Sequence, residues 1–404
     1  MTTRTFDPGV AGAVAHLPEP PHHWSFSTLK EVELCPRRYI FGHSDYPDLW
    51  QGLGYPQKPN PAALFGDVVH DALERVIRGL VKAGCTSANS EAGFAVLQEL
   101  GGYTAVAEAA LARRLQRLDG NPRVSPEQRD RLEQLMEQRI PEARTAVQGY
   151  LQRMTLVPSP APGGGTVPLR RRRALGPGSH PEAELQADGL RIKGRIDLLT
   201  ITEAKVDITD HKTGAEDPGH LDQLRFYATL WDRDDVANVG RTPLGTLTAS
   251  YPTAEVSTPA PDADELVTLA EAMSTRVAAA DGQLAAPVPA ATPGEHCGVC
   301  AVRNLCDRYW EDVIPDPASL ADGTWFDFEG VVGQQNGSKS WWLLDPTTGE
   351  RHLLLRTTSP QPLVTGERLR LLGIRREVDP EDESVAALFT SSSEGFVVLG
   401  NGDY

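Results

Sequence analysis

Long apolar segments are missing from this chain of 404 residues. No stretch approaches about eighteen uninterrupted apolar residues, so a membrane-spanning helix is not expected. The first 21 residues contain one arginine and no long apolar run, so a secretory signal is not expected either. The sequence therefore predicts a cytoplasmic protein with no membrane partner.

An excess of positive charge is also missing. The net charge is −16, which argues against a protein that coats nucleic acid without sequence preference. The net charge does not exclude an enzyme that acts on nucleic acid, because binding depends on the electrostatic potential near the site. A bound metal ion also offsets the negative charge of its carboxylate ligands. No G-x-x-x-x-G-K-S/T phosphate loop occurs, so the chain lacks the signature of a helicase motor.

The composition that remains is that of a globular protein. Hydrophobic residues make up 40%, which is enough for a sizeable core and excludes global disorder. We expect a flexible N-terminal arm over 1–23, a main domain over 24–314 with a helical insertion at about 84–156, and a β-rich module over 323–404. The short strands of that module are typical of a small barrel or sandwich, and an OB-like barrel is compatible with them.

The most informative segment contains two carboxylates and a lysine on a predicted hairpin. We expect antiparallel strands over 190–201 and 206–212 joined by a symmetric turn. In that hairpin, the numbers of two paired residues sum to 407. This register places Asp197 opposite Asp210, with Cβ atoms roughly 5 Å apart. Period-2 alternation places Lys212 on the same face as Asp210.

Two carboxylates this close are costly unless a cation lies between them. Mg²⁺ or Mn²⁺, which prefer oxygen ligands, would satisfy that need. The alternative is a solvated strand face with an ordinary Asp–Lys pair. Gln223 and Tyr227 lie four residues apart on one face of the next predicted helix. His70 lies at the edge of the apolar stripe of an earlier helix, where a lone histidine is more often structural.

The five cysteines are an odd number, which argues against a disulfide framework in a cytosolic chain. Cys297, Cys300 and Cys306 have the spacing of metal ligands, and Cys35 is a candidate fourth ligand. Thiolates bind Zn²⁺ or an iron–sulfur cluster, and spacing does not decide between them. The alternative is a set of buried free thiols, as we expect for Cys85.

The motifs, taken in chain order, resemble those of RecB-type nucleases of the PD-(D/E)XK superfamily. The resemblance is to the subgroup with an iron–sulfur cluster, similar to AddB-type and CRISPR-adaptation nucleases, and it covers about 24–310. The motifs that carry it are Ser25-Phe-Ser27-Thr-Leu29, Cys35-Pro36-Arg-Arg-Tyr39, Gly66-Asp-Val-Val-His70, Gly194-Arg-Ile-Asp197, Asp210-His-Lys212-Thr-Gly214, Gln223-Leu-Arg-Phe-Tyr227 and the cysteine cluster.

The resemblance implies an α/β fold with a restriction-endonuclease-like core, in which helices flank a mixed central sheet and an iron–sulfur staple closes the domain. It implies that Lys212 activates water, that Gln223 and Tyr227 organise the site, and that an upstream glutamate, Glu182 or preferably Glu184, takes part. The implied metal ligands are His70, Asp197, Asp210 and the backbone carbonyl of His211. The implied ligands of a 4Fe–4S cluster, with Zn²⁺ as the alternative, are Cys35, Cys297, Cys300 and Cys306.

The function implied is that of a metal-dependent DNA exonuclease acting on single-stranded or frayed ends, in repair, recombination or defence. The alternatives are a noncatalytic iron–sulfur adaptor that holds DNA ends for a helicase or other partner, and an interaction protein with a zinc site. Weaker candidates for DNA contact are basic and aromatic residues that a solvated loop or an apolar core would also explain. They are Arg37, Arg38, Arg170, Arg171, Arg172, Arg173, Trp341 and Trp342. An acidic run at 377–383 argues against DNA binding by the C-terminal module, because it would repel a phosphate backbone.

Overall fold

A computed structural model describes residues 17–46, 54–158, 172–286, 289–358, 361–378 and 385–398. Residues 1–16 of the predicted arm, Arg170 and Arg171, and 379–383 of the acidic run lie outside the described residues. No helix within the described ranges is long and apolar enough to cross a membrane.

The first helical segment consists of two helices, α1 (Phe26–Leu34) and α2 (Pro36–His43), where the sequence predicted one helix over 26–41. The break falls at Cys35, whose backbone is extended with φ −163°, because a residue before proline disfavours the helical region. The helix cap is Ser25, whose hydroxyl accepts from the N–H of Thr28 at 3.2 Å.

Five helices then form a block with its own apolar core, to which the central sheet contributes Leu198. The sequence predicted two or three helices over 91–156, and the structure has four there, because short breaks separate them. The five helices are α3 (Pro61–Lys82), α4 (Glu91–Glu99), α5 (Gly102–Gln116), α6 (Pro126–Gln138) and α7 (Ile140–Arg153).

A five-stranded mixed sheet forms the centre of the main domain, in the order β1-β2-β3-β4-β5. Only β3 and β4 pair in parallel, and helix α8 (Gly219–Arg233) makes the crossover that a parallel pair requires. Helix α9 (Ala263–Leu284) follows the sheet. The strands are β1 (Gly178–Ala187), β2 (Ile192–Ile201), β3 (Val206–His211), β4 (Leu244–Ser250) and β5 (Glu255–Pro259).

The register of β2 on β3 confirms the predicted hairpin. Leu198 pairs with Thr209 and Ile201 pairs with Val206, so paired numbers sum to 407. One step further along the same register, Asp197 lies opposite Asp210. The sheet therefore brings the two carboxylates to the end of the β2–β3 pair.

The β-rich C-terminal module is present, and its described residues form six strands. They lie in the order β10-β8-β7-β6-β9-β11, and an additional pairing of β9 with β10 closes five of them into a ring. Strands β8 and β10 are parallel, while the other pairs in the ring are antiparallel. The strands are β6 (Trp325–Gln335), β7 (Ser340–Leu344), β8 (Arg351–Thr357), β9 (Arg368–Val378), β10 (Val385–Phe389) and β11 (Glu394–Val397).

The cysteine segment connects the two sheets. It consists of two short 3-10 turns, Glu295–Val299 and Arg303–Leu305, followed by helix α10 (Asp307–Asp312). Cys300 and Trp310 of this segment share a small apolar cluster with Tyr55 of the main domain and with Phe396 of β11. The segment is therefore packed against the main domain and against the C-terminal module.

Candidate active site

Two carboxylates with opposite tendencies to ionise form the centre of the site. The backbone N–H of His211 donates to Oδ2 of Asp197 at 2.6 Å, and Nδ1 of His70 lies 3.7 Å from the same oxygen. Burial opposes ionisation of Asp197, but the hydrogen bond from His211 and the charge of His70 hold its pKa below its ordinary value. Asp210 is only 2% exposed, and burial together with the charge of Asp197 raises its pKa. The pair therefore has the like-charge repulsion that a divalent cation would relieve.

Lys212 is connected to this pair and to helix α8. Its Nζ lies 2.7 Å from Oδ2 of Asp210 and donates to Oε1 of Gln223 at 2.8 Å. Nε2 of Gln223 in turn donates to the hydroxyl of Tyr227 at 2.8 Å. Burial raises the pKa of Tyr227, so its phenol stays neutral. The i, i+4 pair on α8 thus fixes the position of the ammonium group beside Asp210.

Two glycines allow the elements of the site to approach closely. A Cβ at Gly194 would lie 2.9 Å from Cδ1 of Leu230 and 3.0 Å from Cε1 of Tyr227. A Cβ at Gly66 of α3 would lie 3.0 Å from Oγ1 of Thr213. These close contacts explain why both motifs contain glycine: α8 packs directly on β2, and α3 packs directly on the end of β3.

Of the two upstream glutamates, Glu182 lies next to the carboxylate pair, whereas Glu184, which the sequence favoured, lies further along β1. Pro181 pairs with Leu198 and Ala183 pairs with Ile196, so this register places Glu182 opposite Asp197. Glu184 pairs with Arg195 two residues further along β1, and its side chain is exposed. Glu182 is therefore the candidate for the third carboxylate of the site.

Glu182 has an unusual backbone and an unusual charge environment. Its φ is +55°, and Nε of Arg195 lies 2.6 Å from its Oε2. Burial, followed by the charge of Asp197 and to a smaller extent that of Glu74, raises its pKa to about 7, while Arg195 and Arg78 act in the opposite direction. Helix α3 therefore brings Glu74 and Arg78 within electrostatic reach of the carboxylate cluster.

Tyr150 belongs to the site, although no sequence signal indicated it. Its hydroxyl donates to the backbone carbonyl of Lys212 at 2.7 Å, and its ring meets His211 edge-on with centroids 5.2 Å apart. Tyr150 lies on α7 in an ordinary helical repeat of apolar residues, and no motif marks it. Its role depends on the helical block packing against the sheet.

The four candidate cysteines line one small cavity, together with Arg37 and Arg38. All four thiols are free, and Cys85 lies apart in the helical block, as expected. Burial raises the pKa of Cys300 and Cys306, while the nearby arginines favour their thiolates. Across the described ranges, no three His, Cys, Asp or Glu side chains converge as a formed site for one metal ion.

Several predicted DNA contacts have other neighbours in the structure. Arg37 donates to the carbonyl of Pro289 at 3.2 Å, and Arg38 lies 3.4 Å from Glu31. Arg172 binds the buried carboxylate of Asp234, whereas Arg173 is exposed.

The two tryptophans of β7 differ. Trp341 is buried in the apolar core of the C-terminal ring, so its ring is not exposed for stacking on a base. Trp342 is half-buried, points away from that core and lies 4.8 Å from the guanidinium of Arg351. Trp342 therefore remains a candidate for base stacking.

Comparison with known proteins identifies the family. The chain belongs to the PD-(D/E)XK nuclease superfamily, whose family model matches residues 23–307. Members of this superfamily are generally phosphodiester-cleaving nucleases and typically use divalent metals such as Mg²⁺ or Mn²⁺. The matched range includes the central sheet, the helical block and the cysteine segment.

Three solved structures with detectable similarity match parts of the chain. Schizosaccharomyces pombe Pot1pC bound to single-stranded DNA shares 9% identity and a TM-score of 0.17, covering 23% of this chain and 91% of that one. Fission yeast Pot1 with single-stranded DNA shares 11% identity and a TM-score of 0.18, covering 29% and 51%. SSO0001 shares 21% identity and a TM-score of 0.20, covering 32% and 59%.

These TM-scores are too low to support any conclusion about this chain. No curated protein shows significant similarity to it.

Proposed function

We propose that this protein is a divalent-metal-dependent DNA nuclease, and that it acts as an exonuclease on single-stranded or frayed ends. One observation carries the proposal: Asp197 and Asp210 are opposed on neighbouring strands, and Lys212 lies 2.7 Å from Asp210. A site that only bound DNA would gain nothing from opposing two negative charges beside a phosphate. The same arrangement is suited to holding a cation for hydrolysis.

By ligand type, rather than as a formed cage, the donor set fits Mg²⁺ or Mn²⁺. Asp197 and Asp210 offer carboxylate oxygens, and His70 offers a ring nitrogen 3.7 Å from Asp197. We propose these residues and the carbonyl of His211 as ligands, with Glu182 adding a further carboxylate. When bound, the ion would supply positive charge at the scissile phosphate and lower the pKa of a bound water.

The remaining groups act on the water and on the developing charge. We propose that Lys212 orients the attacking water and stabilises negative charge on the phosphoryl oxygens. The water oxygen forms a bond to phosphorus as the bond to the leaving oxygen breaks, so one product retains the phosphate. Gln223 and Tyr227 act through Lys212 as positioning residues, because their hydrogen bonds fix its ammonium group.

For the cysteines we propose a 4Fe–4S cluster bound by Cys35, Cys297, Cys300 and Cys306. Four free thiols around one cavity with two arginines fit a group of net negative charge. In a cluster the four sulfurs bind different irons, so they need not converge on one ion as zinc ligands do. Iron, sulfide and zinc analysis of anaerobically purified protein distinguishes the two: iron with sulfide supports the cluster, and zinc with colourless protein contradicts it.

For the C-terminal ring we propose an OB-like barrel that contributes to binding single-stranded DNA. The strand order β6-β7-β8-β10-β9, with β8 parallel to β10, is that of an OB fold. Trp342 on β7, with Arg351 beside it, would stack on a base.

The nuclease proposal is tested by the fate of end-labelled linear single-stranded, linear double-stranded and circular single-stranded DNA with Mg²⁺ or Mn²⁺. We expect linear strands to be degraded and circles to survive. Asp210→Asn should abolish degradation, whereas Asp207→Asn on the same strand should retain it. Cleavage of circles would contradict the exonuclease assignment, and no cleavage by metal-replete protein would favour the adaptor.

A further inference from the structure

A groove rich in arginine runs between helices α3 and α5 of the helical block. It is lined by four arginines, together with Asp71, Glu74 and Leu100, and encloses about 420 Å³. We call it the arginine groove, defined by Arg75, Arg78, Arg113 and Arg117.

Helix α5 is held against α3 by an ion-pair cluster next to the groove. Arg114 donates to both carboxylate oxygens of Asp71, at 2.9 and 2.5 Å, and lies 3.3 Å from Asp67. Desolvation of Arg114 is thus offset by two carboxylates, which fixes the relative position of the two helices. The groove is therefore a fixed feature of the helical block.

The charges in the groove are not balanced. Glu74 accepts from Arg78 at 2.7 Å, and Asp71 is engaged by Arg114. Arg75, Arg113 and Arg117 form no ion pair with any residue in the described part of the chain, and Arg113 is half-buried. Three such guanidinium groups around one groove repel each other and favour an anionic ligand, in a chain whose net charge is −16.

The groove leads to the carboxylate site. His70, Glu74 and Arg78 follow one another at i, i+4 and i+8, so they lie on one side of α3. Arg78 is about 12 Å along the helix from His70. Glu74 and Arg78 are also within electrostatic reach of Glu182, which lies opposite Asp197. A chain-like anion could therefore contact the groove and the candidate metal site at once.

We propose that the arginine groove binds the phosphate backbone of one nucleic-acid strand and guides it to the carboxylate site. Guanidinium groups bind phosphate oxygens in a bidentate manner, which suits a row of phosphates. The groove lies between two packed helices and encloses about 420 Å³, which suits a single backbone rather than a duplex. This inference rests on the proposed nuclease function and adds where the polynucleotide lies.

The first test is binding without cleavage, using the full chain in EDTA with a fluorescent 20-nucleotide single strand and, separately, a 20-base-pair duplex. The test variant combines Arg113→Gln and Arg117→Gln. The control variant combines Arg144→Gln and Arg233→Gln, two exposed arginines outside the groove with the same loss of charge. Thermal unfolding of each variant confirms that it folds.

For the single strand we expect the groove variant to bind about tenfold more weakly. The slope of log K against log salt should become shallower by roughly 1.4, or about 0.7 per lost phosphate contact. The control should keep the wild-type slope. Equal slopes in the groove and control variants would overturn the proposal, as would a loss seen with the duplex only.

The second readout is the ratio of kcat/KM for a 20-nucleotide substrate to that for a trinucleotide, measured with Mn²⁺. The trinucleotide is too short to span both the site and the groove, so the ratio should fall in the groove variant and hold in the control. A wild-type protein that cleaves nothing contradicts the nuclease proposal, while the salt slope still tests the groove. Normal cleavage with an unchanged ratio contradicts the groove alone.

Discussion

At the scale of single residues, the position of the Lys212 ammonium depends on its neighbours. Asp210 contacts it at 2.7 Å and Gln223 at 2.8 Å, while Tyr150 binds its backbone carbonyl. A flexible lysine would otherwise sample several rotamers. The role of Gln223 is therefore to restrict Lys212 rather than to take part in bond breaking.

We expect Gln223→Ala to lower kcat by about 10- to 100-fold, as loss of a supporting hydrogen bond does at metal sites. Tyr227→Phe should have a smaller effect, because Gln223 keeps its bond to Lys212. The measurement is single-turnover cleavage at saturating DNA and metal. Asp222→Asn, an exposed neighbour on α8, is the control. A Gln223→Ala enzyme as fast as the control would show that Lys212 needs no such support.

Some residues of the site could be predicted from sequence and others could not. Asp197, Asp210 and Lys212 followed from alternation and from one hairpin register, which are local properties of the chain. Glu182 and Glu184 share the same parity, so only the actual pairing of β1 with β2 separates them. Tyr150 reaches the site through packing between distant elements, about which local sequence carries no information.

At the scale of elements, the packing of α8 on β2 determines the geometry of the site. Gly194 leaves space for Tyr227 and Leu230, whose atoms would lie at 3.0 and 2.9 Å from an added Cβ. Gln223 lies one turn before Tyr227 on the same face. A shift of α8 away from the sheet would therefore move the hydrogen-bond partner of Lys212.

We expect Gly194→Ala to destabilise the protein by about 1–3 kcal/mol through overpacking and to lower kcat as well. Gly189→Ala is the matched control, because nothing lies within 4 Å of its added Cβ. Thermal unfolding and single-turnover cleavage measure the two effects. Full activity in Gly194→Ala would show that the position of α8 is not critical.

Element boundaries show the same limit of sequence reasoning. The helix after β3 and the β-rich C-terminal module were predicted from periodicity and turn residues, whereas the mixed sheet was implied by the family resemblance. The break at Cys35 was missed, although Pro36 follows it directly, and β5 was not predicted. Its residues are mostly exposed and form an edge strand, so they lack the apolar alternation that marks a strand.

At the scale of the whole molecule, buried arginines fasten the C-terminal ring to the cysteine segment. Arg370 of β9 donates to Glu329, to the carbonyl of Asn304 and to Asp307, at 2.7, 2.8 and 2.8 Å. Arg123, 3% exposed at its side chain, donates to both carboxylate oxygens of Glu394 at 2.9 Å and to the carbonyl of Ala301 at 2.7 Å. The ring is therefore held in a defined position relative to the nuclease core.

We expect Arg123→Met to destabilise the protein by about 3–5 kcal/mol, because it leaves the carboxylate of Glu394 buried without its partner. The double variant Arg123→Met with Glu394→Leu should recover part of that loss. Urea unfolding measures both. An Arg123→Met protein as stable as the wild type would contradict the role of this ion pair.

The same ion pair predicts a pH dependence of stability. Burial favours the neutral form of Glu394, but the hydrogen bonds and charge of Arg123, with Lys58, lower its pKa in the folded protein. A depressed carboxyl pKa stabilises the fold above the unfolded value of about 4.3 and loses that contribution as pH falls through the folded value. The stability difference between wild type and Glu394→Gln should therefore shrink as pH falls below about 4. A constant difference would contradict this.

The most direct test of the whole account is the Mn²⁺ dependence of the cleavage rate of linear single-stranded DNA. The account predicts a saturable dependence for the wild type and for Asp207→Asn, with no detectable rate for Asp210→Asn at any Mn²⁺ concentration. Cleavage that persists in EDTA, or an Asp210→Asn protein with wild-type rate and metal dependence, would contradict the assignment of Asp197 and Asp210 as the metal site.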